Sequence, residues 1–179
     1  DTIYYGTVYA MDLAGNVAGA SSNGFQIDVT APNPGTVTTE QTASDEITLS
    51  WTGFSDEGKG ISYYDYSLGS QPDSGDVVAR TNVGLDKSVT LTGLTLEHNA
   101  IYYGTVYAVD LVGNEAFAIS EGLTIDQTGP TLGTIADGDG DDIDWSNDNK
   151  SVSSNWSGFE DDKGITKYEV ALGSEAKGT

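Results

Sequence analysis

Residues 3–13, IYYGTVYAMDL, return at 101–111 as IYYGTVYAVDL, 98 positions later. The match runs on without a gap, so that residues 3–37 and 101–135 agree at 22 of 35 positions. A second matched pair is WTGFSDEGKGISYYDYSLGS at 51–70 and WSGFEDDKGITKYEVALGS at 156–174. It sets Trp51 and Trp156 105 apart, so the later copy carries about seven extra residues after GTI. A period of this size is that of a whole domain rather than a solenoid turn, and the chain must be a tandem array.

The phase of the repeat gives the domain organisation. Residues 1–29 match the last third of the unit, 30–127 make one complete unit, and 128–179 match its first half. The expectation is the C-terminal part of one truncated repeat, a complete repeat, and the N-terminal half of a third. Within 30–127 apolar and polar residues alternate over short runs separated by turn residues, which is the period of half-buried strands. The runs fall at 35–39, 46–52, 61–68, 76–81, 87–93, 100–109 and 117–126. Seven short strands without helical periodicity predict an all-β chain of tandem antiparallel β-sandwich domains, 98–105 residues per repeat. Alternation turns Ile47, Leu49 and Trp51 inward, with Tyr64, Tyr66 and Leu68, and with Tyr102, Gly104, Val106 and Ala108. Glycine is costly inside a strand, yet Gly6 repeats Gly104. A facing ring, from Trp51 or Tyr64, is expected to fill the missing volume.

A Trp on the second strand and the pattern L-x-H-x-A-x-Y-x-G-x-V-x-A from Leu96 to Ala108 resemble the fibronectin type III family. The resemblance implies a tyrosine corner, in which Tyr102 ties down the loop before its own strand. His98 stands where the family often has proline, and Gly104 where it usually has an aliphatic residue, so the broader Ig-like label fits nearly as well. The phrases WTGFSD…GI, YDYSLGS, YAVDLVGN and DGDGDDIDW are similar to repeats of very large bacterial surface proteins, such as gliding-motility and other giant adhesins. That likeness implies a secreted or cell-surface location and a role in cell adhesion. Modules of this kind also accompany secreted enzymes, since a fold does not fix a function.

Composition removes most other classes. With no cysteine, the chain has no disulfide framework and no thiolate metal site. Its net charge of −21 repels phosphate backbones, so nucleic acid is not an expected partner. The apolar runs are only a few residues long, and no membrane insertion is expected of this segment. A hydrolase triad would have to use the single histidine, His98, in the loop LTLEHNA, where a solvated side chain is the expectation. The acidic loops SDEG (Asp56, Glu57) and EDDKG (Glu160, Asp161, Asp162) recur at one phase, which favours a structural loop over an active site. The segment is expected to be non-catalytic.

Binding surfaces are of three kinds. Tyr103 and Tyr107 face outward, as do Tyr5 and Tyr9, with Tyr63 on the adjacent strand. Such rings could stack on sugar, although cross-strand support of the sheet is the preferred reading. The junctions IDVTAPNPG and IDQTGPTLG carry Pro32, Pro34 and Pro130 and lack Ser/Gly runs, so they should be stiff. Asp28 and Asp126 there could cap backbone groups or share a cation with the neighbouring domain, while D-L-x-G-N (Asp12 to Asn16, Asp110 to Asn114) reads as a turn in preference to a ligand-binding loop. Finally, the later copy alone holds ADGDGDDIDWSNDN, with Asp137, Asp139 and Asp141 at alternate positions and Asp144 and Asp148 following. Alternating carboxylates suit a hard cation, and these five residues are the expected calcium ligands. Asp142 replaces the glycine that an EF-hand loop requires at its sixth position, and a solvated acidic turn is the alternative.

The leading expectation is therefore a stiff stalk or spacer of a large bacterial adhesin, rigidified by calcium, whose partners are neighbouring repeats and a cell-surface protein or glycan. The alternative is an accessory or carbohydrate-binding module of a secreted polysaccharide-degrading enzyme.

Overall fold

A computed structural model describes residues 2–173. The predicted third repeat, 128–179, therefore extends at its end beyond the described residues, as the first does at residue 1. The chain divides into two compact units, Asp1–Ile125 and Asp126–Thr179. Among the described residues all regular structure is antiparallel strand.

The first unit opens with the strands of the partial repeat: β1 (Thr2–Tyr4), β2 (Thr7–Met11), β3 (Val17–Ser21) and β4 (Phe25–Ile27). Strand β1 pairs with β4, and β2 with β3. The complete repeat follows as β5 (Thr36–Ala43), β6 (Glu46–Thr52), β7 (Ile61–Gly69), β8 (Val78–Asn82), β9 (Ser88–Leu91), β10 (Ile101–Asp110), β11 (Glu115–Ile119) and β12 (Leu123–Thr124). One sheet has the order β5-β6-β9 and the other β11-β10-β7-β8, with β12 also on β10. Two antiparallel sheets enclosing one core make this a β-sandwich.

The predicted inward faces are the core. Ile47, Leu49 and Trp51 from one sheet meet Tyr64, Tyr66, Leu68, Tyr102, Val106 and Ala108 from the other, all buried. Trp51 and Phe54 both meet the Tyr64 ring edge-on, at 5.8 and 5.7 Å between centroids. The Glu97 N–H donates to Tyr102 Oη at 3.3 Å, closing the expected tyrosine corner. Removing a half-buried acceptor of this kind costs about 1 kcal/mol. Tyr102→Phe should therefore lower unfolding stability by about that amount in a urea melt and leave the m-value unchanged.

Gly104 is not filled by a ring. A Cβ there would meet Leu49 Cδ2 at 2.8 Å and Thr39 Cγ2 at 2.9 Å, so an aliphatic side chain and a threonine methyl from the facing sheet occupy the space. Trp51 is already committed to Tyr64. The expected last strand, 117–126, is split in two at Ser120, whose Oγ accepts the Gly104 N–H at 2.9 Å and whose N–H donates to the Gly104 carbonyl at 2.8 Å. A side-chain acceptor in place of a ladder carbonyl breaks the strand at that point. Ser22 and Gly6 make the same pair in the earlier copy.

The second unit contains β13 (Thr134–Asp137) and β14 (Ser154–Ser157), paired antiparallel. Tyr168 meets Trp156 at 5.6 Å and Phe159 at 6.0 Å, the counterpart of the Tyr64 trio. Trp156 is 40% exposed where Trp51 is 2%.

Candidate metal centre

Turn chemistry places three carboxylates together in the first unit. Strand β10 ends at Asp110, and the DLVGN turn folds back over its side chain. Asp110 Oδ1 accepts the N–H groups of Val112 (2.8 Å), Gly113 (2.7 Å) and Asn114 (2.9 Å), while Oδ2 accepts Asn114 Nδ2 at 2.8 Å. Gly113 takes φ 96°, a left-handed value suited to glycine. Burial would raise the Asp110 pKa, but the bonds from Asn114 and the three backbone donors outweigh it and hold the carboxyl below its ordinary value. The Asp12 turn in the earlier copy repeats the arrangement, with Asn16 lowering its pKa in the same way. The expected turn role is thus present in both copies.

Asp56 sits in the loop after β6. Its Oδ2 accepts the N–H groups of Gly58 and Gly60, both at 2.9 Å. Asp28 follows β4; its Oδ1 accepts the Thr30 N–H at 3.1 Å, and its backbone carbonyl accepts Asn114 Nδ2 at 3.4 Å. Paired backbone bonds between Asn33 and Ser55 hold the segment after Asp28 against the loop that carries Asp56.

The result is that Asp28, Asp56 and Asp110 each bring one carboxylate oxygen within 4.8 Å of the other two. Asp110 is 2% exposed. One oxygen of each of the other two residues, Asp28 Oδ2 and Asp56 Oδ1, is closed off from solvent and has no hydrogen-bond partner. Like charges at such a spacing repel by about 3 kcal/mol per pair near a protein surface, and an unpaired buried acceptor adds its own desolvation cost. A cation bound by the three would offset both costs.

The second unit assembles a related group, Asp126, Asp161 and Asp162. Asp126 Oδ1 accepts the N–H and the hydroxyl of Thr128, both at 2.9 Å, as Asp28 accepts from Thr30. Asp161 accepts the Lys163 N–H at 2.9 Å, as Asp56 accepts from Gly58. A Thr131–Glu160 bridge stands where Asn33–Ser55 does. Junction and loop aspartates of the same repeat phase converge in both units, and each set can hold an ion.

The five residues expected to bind calcium lie elsewhere. Asp137 closes β13, and its N–H donates to Asp142 Oδ1 at 2.8 Å. Asp148 caps its own turn; the Ser151 hydroxyl, then the Lys150 N–H, lower its pKa. Asp139, Asp141 and Asp144 are exposed on the intervening loop. Among the described residues, three or more ligand atoms converge only at the two aspartate groups above, neither of which includes these five.

The outward tyrosines pack on their own sheet. Arg80 lies 3.9 Å above the Tyr107 ring, Phe117 is 5.9 Å away, and Tyr107 Oη donates to Asp73 at 2.5 Å. The Tyr103 ring covers Gly122, as Tyr5 covers Gly24 and Tyr9 covers Gly19. These are the cross-strand contacts preferred above, since glycine leaves a hollow that an aromatic neighbour fills.

Fold and site together define an antiparallel β-sandwich module with a carboxylate cluster at the junction where one repeat enters the next. No family model matches the chain. Over 121 residues, 63% of its length, it is 30% identical to exoglucanase B of Cellulomonas fimi, and the match spans 10% of that protein. That relative is an exoglucanase rather than an adhesin, and nothing in the comparison supports gliding motility.

Proposed function

We propose that the chain is a non-catalytic, extracellular run of fibronectin type III-like modules, an accessory region of a polysaccharide-degrading enzyme that spaces its working domains. The observation that carries the reading is the similarity to exoglucanase B, which spans only a tenth of that protein and hence a region far smaller than the whole. The sheet orders β5-β6-β9 and β11-β10-β7-β8, with the Tyr102 corner, support the fibronectin type III-like assignment. Tyr107 already engaged by Arg80 and Phe117 supports a spacer over a sugar-stacking platform. Calcium, a hard cation that takes oxygen ligands, is the ion these acidic modules suit.

Two measurements test the reading. The purified chain should release no reducing sugar from cellulose or xylan; turnover would remove the non-catalytic assignment. The reading frame that encodes these 179 residues should also encode a glycoside hydrolase domain. Many further copies without such a domain would return the module to an adhesin stalk, the reading that the near-identity of its copies otherwise favours.

A further inference from the structure

We infer that Asp28, Asp56 and Asp110 form a calcium site that clamps the end of one repeat to two loops of the next. The three residues come from the segment after β4, the loop after β6 and the turn after β10, and they are 28 and 54 positions apart. Their ligand oxygens nevertheless lie within 4.8 Å of one another. An acidic cluster alone would say little, because exposed carboxylates often gather in solvent. Here Asp28 Oδ2 and Asp56 Oδ1 have neither water access nor a donor, beside an Asp110 that is almost wholly buried.

Asp28 Oδ1, Asp56 Oδ2 and both oxygens of Asp110 are fixed by turn N–H groups or by Asn114. The carboxylates are therefore oriented before any ion arrives, and little ordering entropy is lost on binding. Gly58 closes the approach: a Cβ there would stand 2.1 Å from Asp28 Oδ2, so only glycine lets this backbone lie against the carboxylate. Oxygen-only ligation selects a hard cation. Irregular geometry drawn from three separate loops suits calcium, which accepts six to eight ligands at flexible angles, better than magnesium, which demands a near-ideal octahedron. A related group at Asp126, Asp161 and Asp162 repeats the junction and loop phases of Asp28 and Asp56, with Asp162, at the phase of Glu57, as its third member.

The inference does not depend on the enzyme context proposed above, because calcium binding is measured on this chain alone. Titration calorimetry should show a dissociation constant of order 0.1–1 mM, the range of extracellular calcium modules. Hydrogen exchange in 10 mM calcium against chelator should slow at the amides of Gly58, Gly60, Val112 and Gly113. Asp56→Asn, which keeps shape and loses charge, should abolish that local protection and weaken the tighter binding at least ten-fold. If the variant proves unfolded by circular dichroism, Asp28→Asn carries the same expectation. Asp139→Asn/Asp141→Asn, in the inserted acidic loop, should leave the protection intact. Absence of binding heat up to 10 mM calcium overturns the inference. So does protection confined to residues 137–148 and lost only in the loop double variant, or protection in magnesium equal to that in calcium.

Discussion

Trp51→Ala should cost the first unit about 3–5 kcal/mol, the usual range for deleting a fully buried large aromatic side chain. Trp51 is 2% exposed and packs against Tyr64, Val37 and the other core residues of both sheets. Against a total stability of about 5–15 kcal/mol for a domain, such a loss brings the sandwich near its unfolding threshold. Its Nε1 atom is buried without a partner, so the native protein already bears the cost of an unsatisfied donor. Trp51→Phe keeps an aromatic body and deletes that donor, and should cost only about 1–2 kcal/mol. Trp156, at the same phase of the later copy, is 40% exposed, and Trp156→Ala should cost less than half as much as Trp51→Ala. Urea unfolding followed by circular dichroism measures all three, with the two units fitted as separate transitions. Equal losses for Trp51→Ala and Trp156→Ala would contradict the burial difference that separates them.

The core was legible because a strand has a period of two and each sheet of this sandwich buries one face. Ile47, Leu49 and Trp51 could be assigned inward from alternation alone, and a one-residue error in register would have sent all three to solvent. Details set by three-dimensional contact were not legible. Strand β5 runs on to Ala43, past the expected end at 39, because an irregularity between Gln41 and Ala43 lets pairing with β6 resume at Glu46. The filling of Gly104 by Leu49 and Thr39 depends on which rung of the facing sheet lies opposite, and no local pattern encodes that.

The carboxylate group has the same explanation. In sequence Asp110 reads as a turn residue, Asp56 as part of a recurring structural loop, and Asp28 as either a cap or a cation ligand shared between repeats; each bonds turn N–H groups with one carboxylate oxygen or both. Their convergence arises only when the junction, the loop after β6 and the turn after β10 meet at one end of the sandwich. A signal was present in the repeat: Asp28 and Asp126 share one phase, and Asp56 and Asp161 another. Recurrence by itself is equally consistent with turn-making, whereas the run from Asp137 to Asp148 carries the dense alternating carboxylates that suit a hard cation. The fold brings the distant aspartates together, whereas among the described residues the carboxylates from Asp137 to Asp148 belong to neither converging group.

Gly35→Ala should be a severely damaging single-methyl addition to the first unit, at about 3 kcal/mol or more, the upper end of overpacking costs. A Cβ at Gly35 would lie 2.2 Å from the Thr52 carbonyl oxygen, 2.7 Å from the Phe54 nitrogen and 2.5 Å from Phe54 Cδ2. Two of these three neighbours are backbone atoms, so no rotamer change relieves the clash. The first rung between β5 and β6, Thr36 on Thr52, would have to open. Gly133 repeats the geometry in the second unit, with the Ser157 carbonyl oxygen at 2.2 Å and the Phe159 nitrogen at 2.6 Å. Each of these glycines faces another, Gly53 or Gly158, held at φ 80° and 76° so that the two backbones can approach. Gly140→Ala is the control: nothing lies within 4 Å of its Cβ position and its φ is not left-handed. There the loss of unfolded-state freedom should leave stability unchanged or raise it by about 0.4–1 kcal/mol. Thermal melts of the two variants should therefore separate widely, with Gly35→Ala lowering the midpoint of the first unit by about 10 °C or more. Coincident melts would mean that the junction strand shifts to admit a methyl, and that the close backbone approach repeated in both copies is not what holds glycine at this position.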